Sequence, residues 1–138
     1  MKTIVIYYSC SGNTKKFAQE FAEKEGADLC EVKTLKPLNG FSALFVGCPK
    51  AFSGKGLPIH PLGTDMESYD KIVLMAPVWG GNPASPINSV IEILPSGKNV
   101  EMRMVSSGGT SGGKNKAIAR VEAAGCTVTD YVDLKSPK

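Results

Sequence analysis

The four cysteines of the sequence are far apart, and no C-x-x-C pair occurs among them. They are Cys10, Cys30, Cys48 and Cys126. Structural zinc sites and disulfide frameworks need closely paired or regularly spaced cysteines, so this spacing argues against both. We expect no metal site and four reduced thiols, most of them buried.

Long apolar runs are also missing. No stretch approaches the length of a membrane-spanning helix, and the apolar segment within MKTIVIYYSCSG is too short for a secretory signal. We therefore expect a cytoplasmic protein without membrane insertion.

The sequence has little excess charge, with 16 Lys and Arg against 13 Asp and Glu. It has no dense basic run and no alternation of basic and aromatic residues, so we expect no nucleic acid partner. Repeats and low-complexity segments are absent as well. The 138 residues suffice for a single domain with its own core, which we expect to span residues 1–138.

Apolar and β-branched runs predict five strands. The first and third are apolar without interruption, which is typical of strands buried on both faces of a sheet. The predicted strands span residues 3–8, 27–33, 71–78, 99–105 and 126–134.

Helical spacing of apolar residues separates these runs. One helix is predicted from residues 17–22 and ends at Gly26, and another from residues 87–94 ends at Pro95. A weaker helix is predicted over 114–124. A short helix over 41–52 and a loop rich in Gly and Pro over 53–63 complete the pattern.

Strands and helices that alternate in this way predict an α/β fold with an open, doubly wound, parallel sheet. Ligands of such sheets bind beyond the carboxyl ends of the strands. Three loops leave those ends, at residues 9–14, 77–86 and 106–113, and all are rich in Gly, Ser, Thr, Asn and Pro. We expect the functional site where these loops meet.

The first loop has the composition of an anion site. A helix N-terminus presents unpaired N–H groups and a partial positive charge. Ser9, Ser11 and Thr14 supply hydroxyl groups, Gly12 permits close approach of the backbone, and Asn13 can hold the turn. These residue types favour a bound phosphate.

Two cations follow in the first turn of the predicted helix. Lys15 and Lys16 oppose the helix dipole there, at a cost of about 0.3–1 kcal/mol each when exposed. A dianionic phosphate would offset that cost. Considered alone, however, the two lysines are explained more simply by side chains that face water.

The loops together resemble those of the flavodoxin family. The nucleotide motifs G-x-x-x-x-G-K-[ST] and G-x-G-x-x-G are absent, whereas SCSGNT (9–14) matches a [ST]-x-[ST]-G-x-T phosphate loop. APVWGGNPASPINSVI (76–91) and SSGGTSGG (106–113) are similar to the second and third flavin loops. The resemblance implies a flavodoxin-like sheet of order 2-1-3-4-5, without the usual C-terminal helix, and FMN as the cofactor.

The resemblance also implies a role for each loop residue. It assigns the phosphate to Ser9, Cys10, Ser11, Gly12, Asn13 and Thr14. It assigns one side of the isoalloxazine ring to Pro77, Val78, Trp79, Gly80 and Gly81, and the other edge to Ser106, Ser107, Gly108 and Gly109. It implies no catalytic side chain.

Two of these assignments have their own physical basis. Trp79 is the single tryptophan and could stack on the flavin, although a core aromatic is the alternative. The glycines at 80 and 81 let a peptide between them turn its N–H or C=O toward the flavin N5, because glycine accepts positive φ.

Two functions fit a flavodoxin-like protein. The first is a small electron carrier that works with a redox partner protein. The alternative is an FMN-dependent oxidoreductase that takes hydride from NAD(P)H and reduces a quinone, since no aromatic in the third loop covers the second face of the flavin. Lys15, Lys16, Lys114 and Lys116 would form a basic rim that attracts either partner.

A remote alternative is a low-molecular-weight cysteine phosphatase. Such enzymes carry C-x5-R after the first strand, but Lys16 stands here at the arginine position after Cys10. Lysine lacks the planar guanidinium group with which arginine binds a phosphoryl group through two hydrogen bonds. His60, the single histidine, is expected to be an ordinary loop residue.

The fourth predicted strand suggests a homodimer. Val100, Met102 and Met104 alternate with Glu101 and Arg103, so the two charged side chains are expected to face water or another chain. Without a C-terminal helix, an apolar strip of the third strand beside them would be exposed. We therefore expect a homodimer through this open face.

Overall fold

The computed structural model describes residues 2–9, 12–35, 56, 58–79 and 81–136. Cys10, Ser11 and Gly80 lie outside these residues, and so do the predicted helix over 41–52 with Cys48 and residues 53–55 and 57 of the predicted loop over 53–63. Those expectations stay predictions.

The described residues form strands and helices in the predicted alternation. They are β1 (Thr3–Tyr7), α1 (Asn13–Glu25), β2 (Asp28–Glu31), a 3-10 turn (Met66–Ser68), β3 (Lys71–Trp79), β4 (Asn82–Pro83), α2 (Ser85–Glu92), β5 (Asn99–Ser106), α3 (Lys114–Ala123) and β6 (Thr127–Lys135). The five predicted strands are present, and β4 is an addition that the sequence did not predict. Within the described ranges, no helix is both long and apolar enough to cross a bilayer.

The sheet has the order β2-β1-β3-β5-β6, and every neighbouring pair on this path is parallel. The two-residue β4 lies off the path and pairs antiparallel with the end of β3. With β4 set aside, this is the predicted order 2-1-3-4-5, and the open doubly wound α/β fold is confirmed. The carboxyl ends of β1, β3 and β5 therefore lie side by side.

The core occupies both faces of the sheet, and β3 runs through the middle of it. Ile72, Leu74 and Ala76 join the larger apolar cluster, while Val73 and Met75 join the smaller one, which α1 covers. All five side chains are fully buried. The prediction of an exposed apolar strip along this strand is therefore wrong.

The alternation along β5 is real, but Glu101 on its polar side is buried. Glu101 is only 6% exposed because Lys71 Nζ lies 2.8 Å from one carboxylate oxygen and Arg103 Nη1 lies 2.6 Å from the other. The Arg103 guanidinium in turn lies over the ring of Phe21 on α1, 4.6 Å from its centre. Glu101 is therefore not free in water as expected, because Lys71 and Arg103 of the same chain pair with it. Glu101 and Arg103 also line a groove between α1, β5 and β6, and the expectation that they face another chain stays a prediction.

Candidate functional site

The three loops predicted to form a site do meet in the structure. An open groove lies at the carboxyl ends of β1, β3 and β5, and all three loops contribute to its walls. It is lined by Asn13, Thr14, Pro77, Val78, Trp79, Val105, Ser106, Ser107 and Ser136. Seven of these nine residues were predicted from the sequence, and Val105 and Ser136 were not.

The first loop places the uncapped N-terminus of α1 at this groove. Gly12 adopts φ +96, which favours glycine, and its amide donates a 3.0 Å hydrogen bond to Ser9 Oγ. Among the described residues, no side chain caps α1, and its first turn holds no acidic residue. Thr14 is 2% exposed and lines the groove, whereas Lys15 and Lys16 are exposed. The first turn of α1 is thus suited to an anionic group.

The second loop is more ordered than its composition predicts. β3 continues through Trp79, and β4 pairs back onto it, with Trp79 opposite Asn82 and Val78 opposite Pro83. Helix α2 then begins at Ser85. The predicted loop over 77–86 is therefore a strand end, a short hairpin and the start of a helix.

Trp79 is a core aromatic that also reaches the groove, and its stacking on a flavin stays a prediction. Its side chain belongs to the larger core cluster, and its ring packs edge-on against Tyr8, with the ring centres 5.7 Å apart and the planes at 87°. Trp79 also lines the groove. Tyr8 therefore fixes the orientation of the indole ring beside the groove.

Hydrogen bonds within the chain hold the third loop in place. Ser106 Oγ accepts from the amide of Gly109 at 2.9 Å and donates to the carbonyl oxygen of Thr110 at 3.3 Å. The carbonyl oxygen of Ser106 accepts from the amide of Ser136 at 2.8 Å. The hydroxyl of Ser106 is thus engaged within the loop, and Ser107 lines the groove beside it.

A polar cluster that the sequence analysis missed lies where the third loop ends. Ser111 Oγ donates to Asp133 Oδ1 at 2.5 Å and lies 2.7 Å from the hydroxyl of Tyr131. Burial raises the pKa of Tyr131; the Ser111 hydrogen bond opposes this rise, and the nearby Asp133 charge adds to it by a smaller amount. Lys114 Nζ lies 5.5 Å from the centre of the Tyr131 ring.

The remaining predicted site residues lie near the groove or outside the described chain. Ser9, Gly12, Gly81, Gly108 and Gly109 are in the loops around the groove but are not among its lining residues. Cys10, Ser11 and Gly80 belong to the residues that the structure does not describe.

Thiols and metal ligands offer no second site in the described part of the chain. Cys30 and Cys126 are buried free thiols that donate to the carbonyl oxygens of Leu62 and Pro95. Among the described residues, no group of three or more His, Cys, Asp or Glu side chains could hold a metal ion.

Comparison with known families gives one match, which covers most of the chain. The family model described as NADPH-dependent FMN reductase matches residues 1–130. A comparison with curated protein sequences finds no match.

Several solved structures share the fold. The crystal structure of a flavoprotein in complex with FMN from Lactobacillus acidophilus NCFM matches with a TM-score of 0.79 at 25% identity, over 94% of this chain and 91% of that chain. A protein from Bacteroides eggerthii DSM 20697 matches with a TM-score of 0.80 at 20% identity, over 95% of this chain and 86% of that chain. The two-electron reduced flavodoxin of Megasphaera elsdenii matches with a TM-score of 0.60 at 20% identity, over 96% and 88%. The predicted resemblance to flavodoxin-like FMN-binding proteins is thereby confirmed.

Proposed function

Since the chain belongs to the NADPH-dependent FMN reductase family, we propose that it is an FMN-dependent oxidoreductase. In this proposal one flavodoxin-like domain over residues 1–138 takes hydride from NAD(P)H and passes the electrons to a quinone or a similar acceptor. This was the alternative in the sequence analysis, and the family match now favours it over the electron carrier.

The observation that carries the proposal is the meeting of three strand-end loops at an uncapped, non-acidic helix N-terminus. Such an arrangement fits a flat cofactor with a phosphate tail, because the loops line a groove and the first turn of α1 attracts the anion. Bound FMN would supply the hydride and electron chemistry, and the protein would bind it, orient it and control access to it.

Each wall of the groove has a distinct task in this proposal. Thr14 and the backbone N–H groups after Gly12 hold the phosphate. Pro77 and Val78 lie along one side of the ring system and exclude water there. Ser106 and Ser107 lie along the other edge. The lack of an aromatic residue in the third loop leaves one face of the ring accessible to a small substrate.

An electron carrier remains the second candidate, because exposed cations surround the groove. Lys15, Lys16, Lys114 and Lys135 are all exposed at or beside the three loops. A basic rim of this kind attracts an acidic partner protein as readily as the phosphates of NAD(P)H. The expectations of no nucleic acid partner and of a cytoplasmic location stay predictions.

One assay separates the two candidates. Protein loaded with FMN is mixed with NADPH or NADH and a soluble quinone, and nicotinamide oxidation is followed at 340 nm in the steady state. We expect turnover well above that of the same concentration of free FMN. Turnover no faster than free FMN, in a protein that binds FMN, would favour the carrier. A protein whose flavin fluorescence and melting temperature do not respond to saturating FMN would contradict both.

We also propose a homodimer, through a groove on the α1 face of the sheet. This groove of about 480 Å³ lies between α1, β5 and β6. Phe17, Phe21 and Leu134 are partly exposed along it, and Lys24 and Asp130 bring charges of both signs to its rim. A surface with both signs can pair with its own copy about a two-fold axis.

A further inference from the structure

The third loop has little packing of its own. Four of the eight residues in SSGGTSGG are glycines, which lose more conformational freedom on ordering than any other residue. Ser107, Gly108 and Thr110 are exposed. Besides the internal hydrogen bonds of Ser106, the order of this loop comes from contacts with neighbouring elements, and β6 provides the side-chain hydrogen bonds to Ser111.

Strand β6 and the residue after it hold the loop at both ends. At the start, the amide of Ser136 donates to the carbonyl oxygen of Ser106 at 2.8 Å. At the far end, Ser111 is only 9% exposed, and its hydroxyl lies within hydrogen-bond distance of both Tyr131 and Asp133. Ser106 lines the groove proposed for the flavin, so this attachment sets the position of a groove wall.

The hydrogen bonds at the far end run in one direction. A serine hydroxyl carries a single proton, and that of Ser111 is donated to the Asp133 carboxylate. The phenol of Tyr131 must therefore donate to Ser111 Oγ across 2.7 Å. The chain of donors ends on a carboxylate, and hydrogen bonds to ionised acceptors are the stronger kind.

We propose that Ser111, held by Tyr131 and Asp133, is a positioning residue that orders the third loop for the flavin ring. This inference rests on the proposed function. Binding a flavin to a mobile loop would cost the free energy of ordering its glycines. If the loop is already ordered by β6, this cost is absent, and the affinity for the flavin ring is higher. Because the loop lies at the ring and the first turn of α1 lies at the phosphate, loss of Ser111 should weaken FMN and riboflavin by the same factor.

The test compares dissociation constants for FMN and riboflavin, measured by quenching of flavin fluorescence. We expect Ser111→Ala to raise both constants by roughly 10-fold, the effect of one or two lost hydrogen bonds. Ser111→Thr keeps the hydroxyl and should restore most of the affinity. Tyr131→Phe removes only the phenolic hydroxyl and should give a smaller loss of affinity for both flavins. This variant keeps the test valid if Ser111→Ala folds poorly.

Thr127→Ala is the matched control, because Thr127 is exposed at the start of β6, away from the loop. It should leave both flavin constants unchanged. If Ser111→Ala and Tyr131→Phe bind both flavins as the wild type does, this inference is wrong while the proposed function stands. A loss confined to FMN would overturn it as well. A wild-type protein that binds no flavin would overturn the inference and the proposed function together.

Discussion

The amide of Gly113 donates a 2.8 Å hydrogen bond to the carbonyl oxygen of Gly81, and this bond joins the third loop to the hairpin at the end of β3. The side chain of Asn82 packs directly against Gly113, where a Cβ atom would overlap Asn82 Oδ1 and lie 3.1 Å from the Gly81 oxygen. The carbonyl oxygen of Gly113 then accepts from Ala117 in the first turn of α3. Glycine at this position lets two walls of the groove touch.

Gly113→Ala should separate these walls. The new methyl group must push Asn82 or the Gly81 backbone aside, and overpacking of this kind costs about 1–3 kcal/mol of unfolding free energy. Denaturant unfolding of the flavin-free protein measures this loss. We also expect weaker FMN binding, because the second and third loops line the same groove.

Gly112→Ala is the control for this change. A Cβ atom at Gly112 meets nothing within 4 Å, and its φ lies outside the left-handed region. The unfolding free energy should therefore change by less than about 0.5 kcal/mol. Equal losses for the two variants would show that the close approach of Asn82 is not the cause.

Thr14→Ala should weaken FMN far more than riboflavin, which has no phosphate. Thr14 is 2% exposed and lines the groove in the uncapped first turn of α1. A lost hydrogen bond to a charged group costs about 1.5–3 kcal/mol, which is roughly a 10- to 150-fold rise in the dissociation constant. Thr127→Ala, at the opposite end of the sheet, should change neither constant. Equal losses for both flavins would show that Thr14 does not touch the phosphate.

Sequence patterns predicted the strands and their parallel arrangement, and the resemblance to flavodoxins supplied their order in the sheet. The runs Ile4–Tyr7 and Ile72–Val78 are apolar and short, which is typical of strands buried on both faces. The groove could be predicted as well, because small residues follow three strands whose carboxyl ends lie together in a parallel sheet. The hairpin of β4 was missed, since Asn82 and Pro83 have the composition of a turn.

The partners of Ser111 could not be found in the same way. Tyr131 and Asp133 are distant in sequence, and their side of the sheet depends on an irregularity in strand register between Val100 and Glu101. Because strand side chains alternate, a one-residue shift moves every later side chain to the other face. The pattern of β5 likewise identified the face of Glu101 but not the two cations that pair with it.

Glu101 should make the unfolding free energy depend on pH in the acid range. Burial alone would raise the pKa of its carboxyl, but hydrogen bonds from Lys71 and Arg103 outweigh burial and hold this pKa below 4.5. A folded-state pKa below the unfolded one stabilises the protein above about pH 4.5, and this stabilisation is lost as the pH falls through the folded-state pKa.

Glu101→Gln tests this dependence. At pH 7 the variant should be less stable by about 1–3 kcal/mol, a moderate loss because Lys71 and Arg103 remain partly hydrated. The difference from the wild type should shrink as the pH falls below 4.5 and through the folded-state pKa. The exposed Glu92 provides the control, since Glu92→Gln should differ little from the wild type at any pH. A difference for Glu101→Gln that stays constant with pH would contradict the ion-pair explanation.

The last prediction concerns the homodimer through the groove between α1, β5 and β6. Sedimentation at micromolar concentration should give twice the chain mass of 14.6 kDa. Lys24→Glu adds a negative charge to a rim that already holds Glu20, Glu25 and Asp130, so like-charge repulsion should raise the dimer dissociation constant. FMN binding should be unchanged, because Lys24 lies in the last turn of α1 and the flavin groove lies at its first turn. Lys33→Glu, an exposed site after β2, should leave the dimer intact. A wild-type protein that sediments as a 14.6 kDa monomer would show that this face does not bind a second copy.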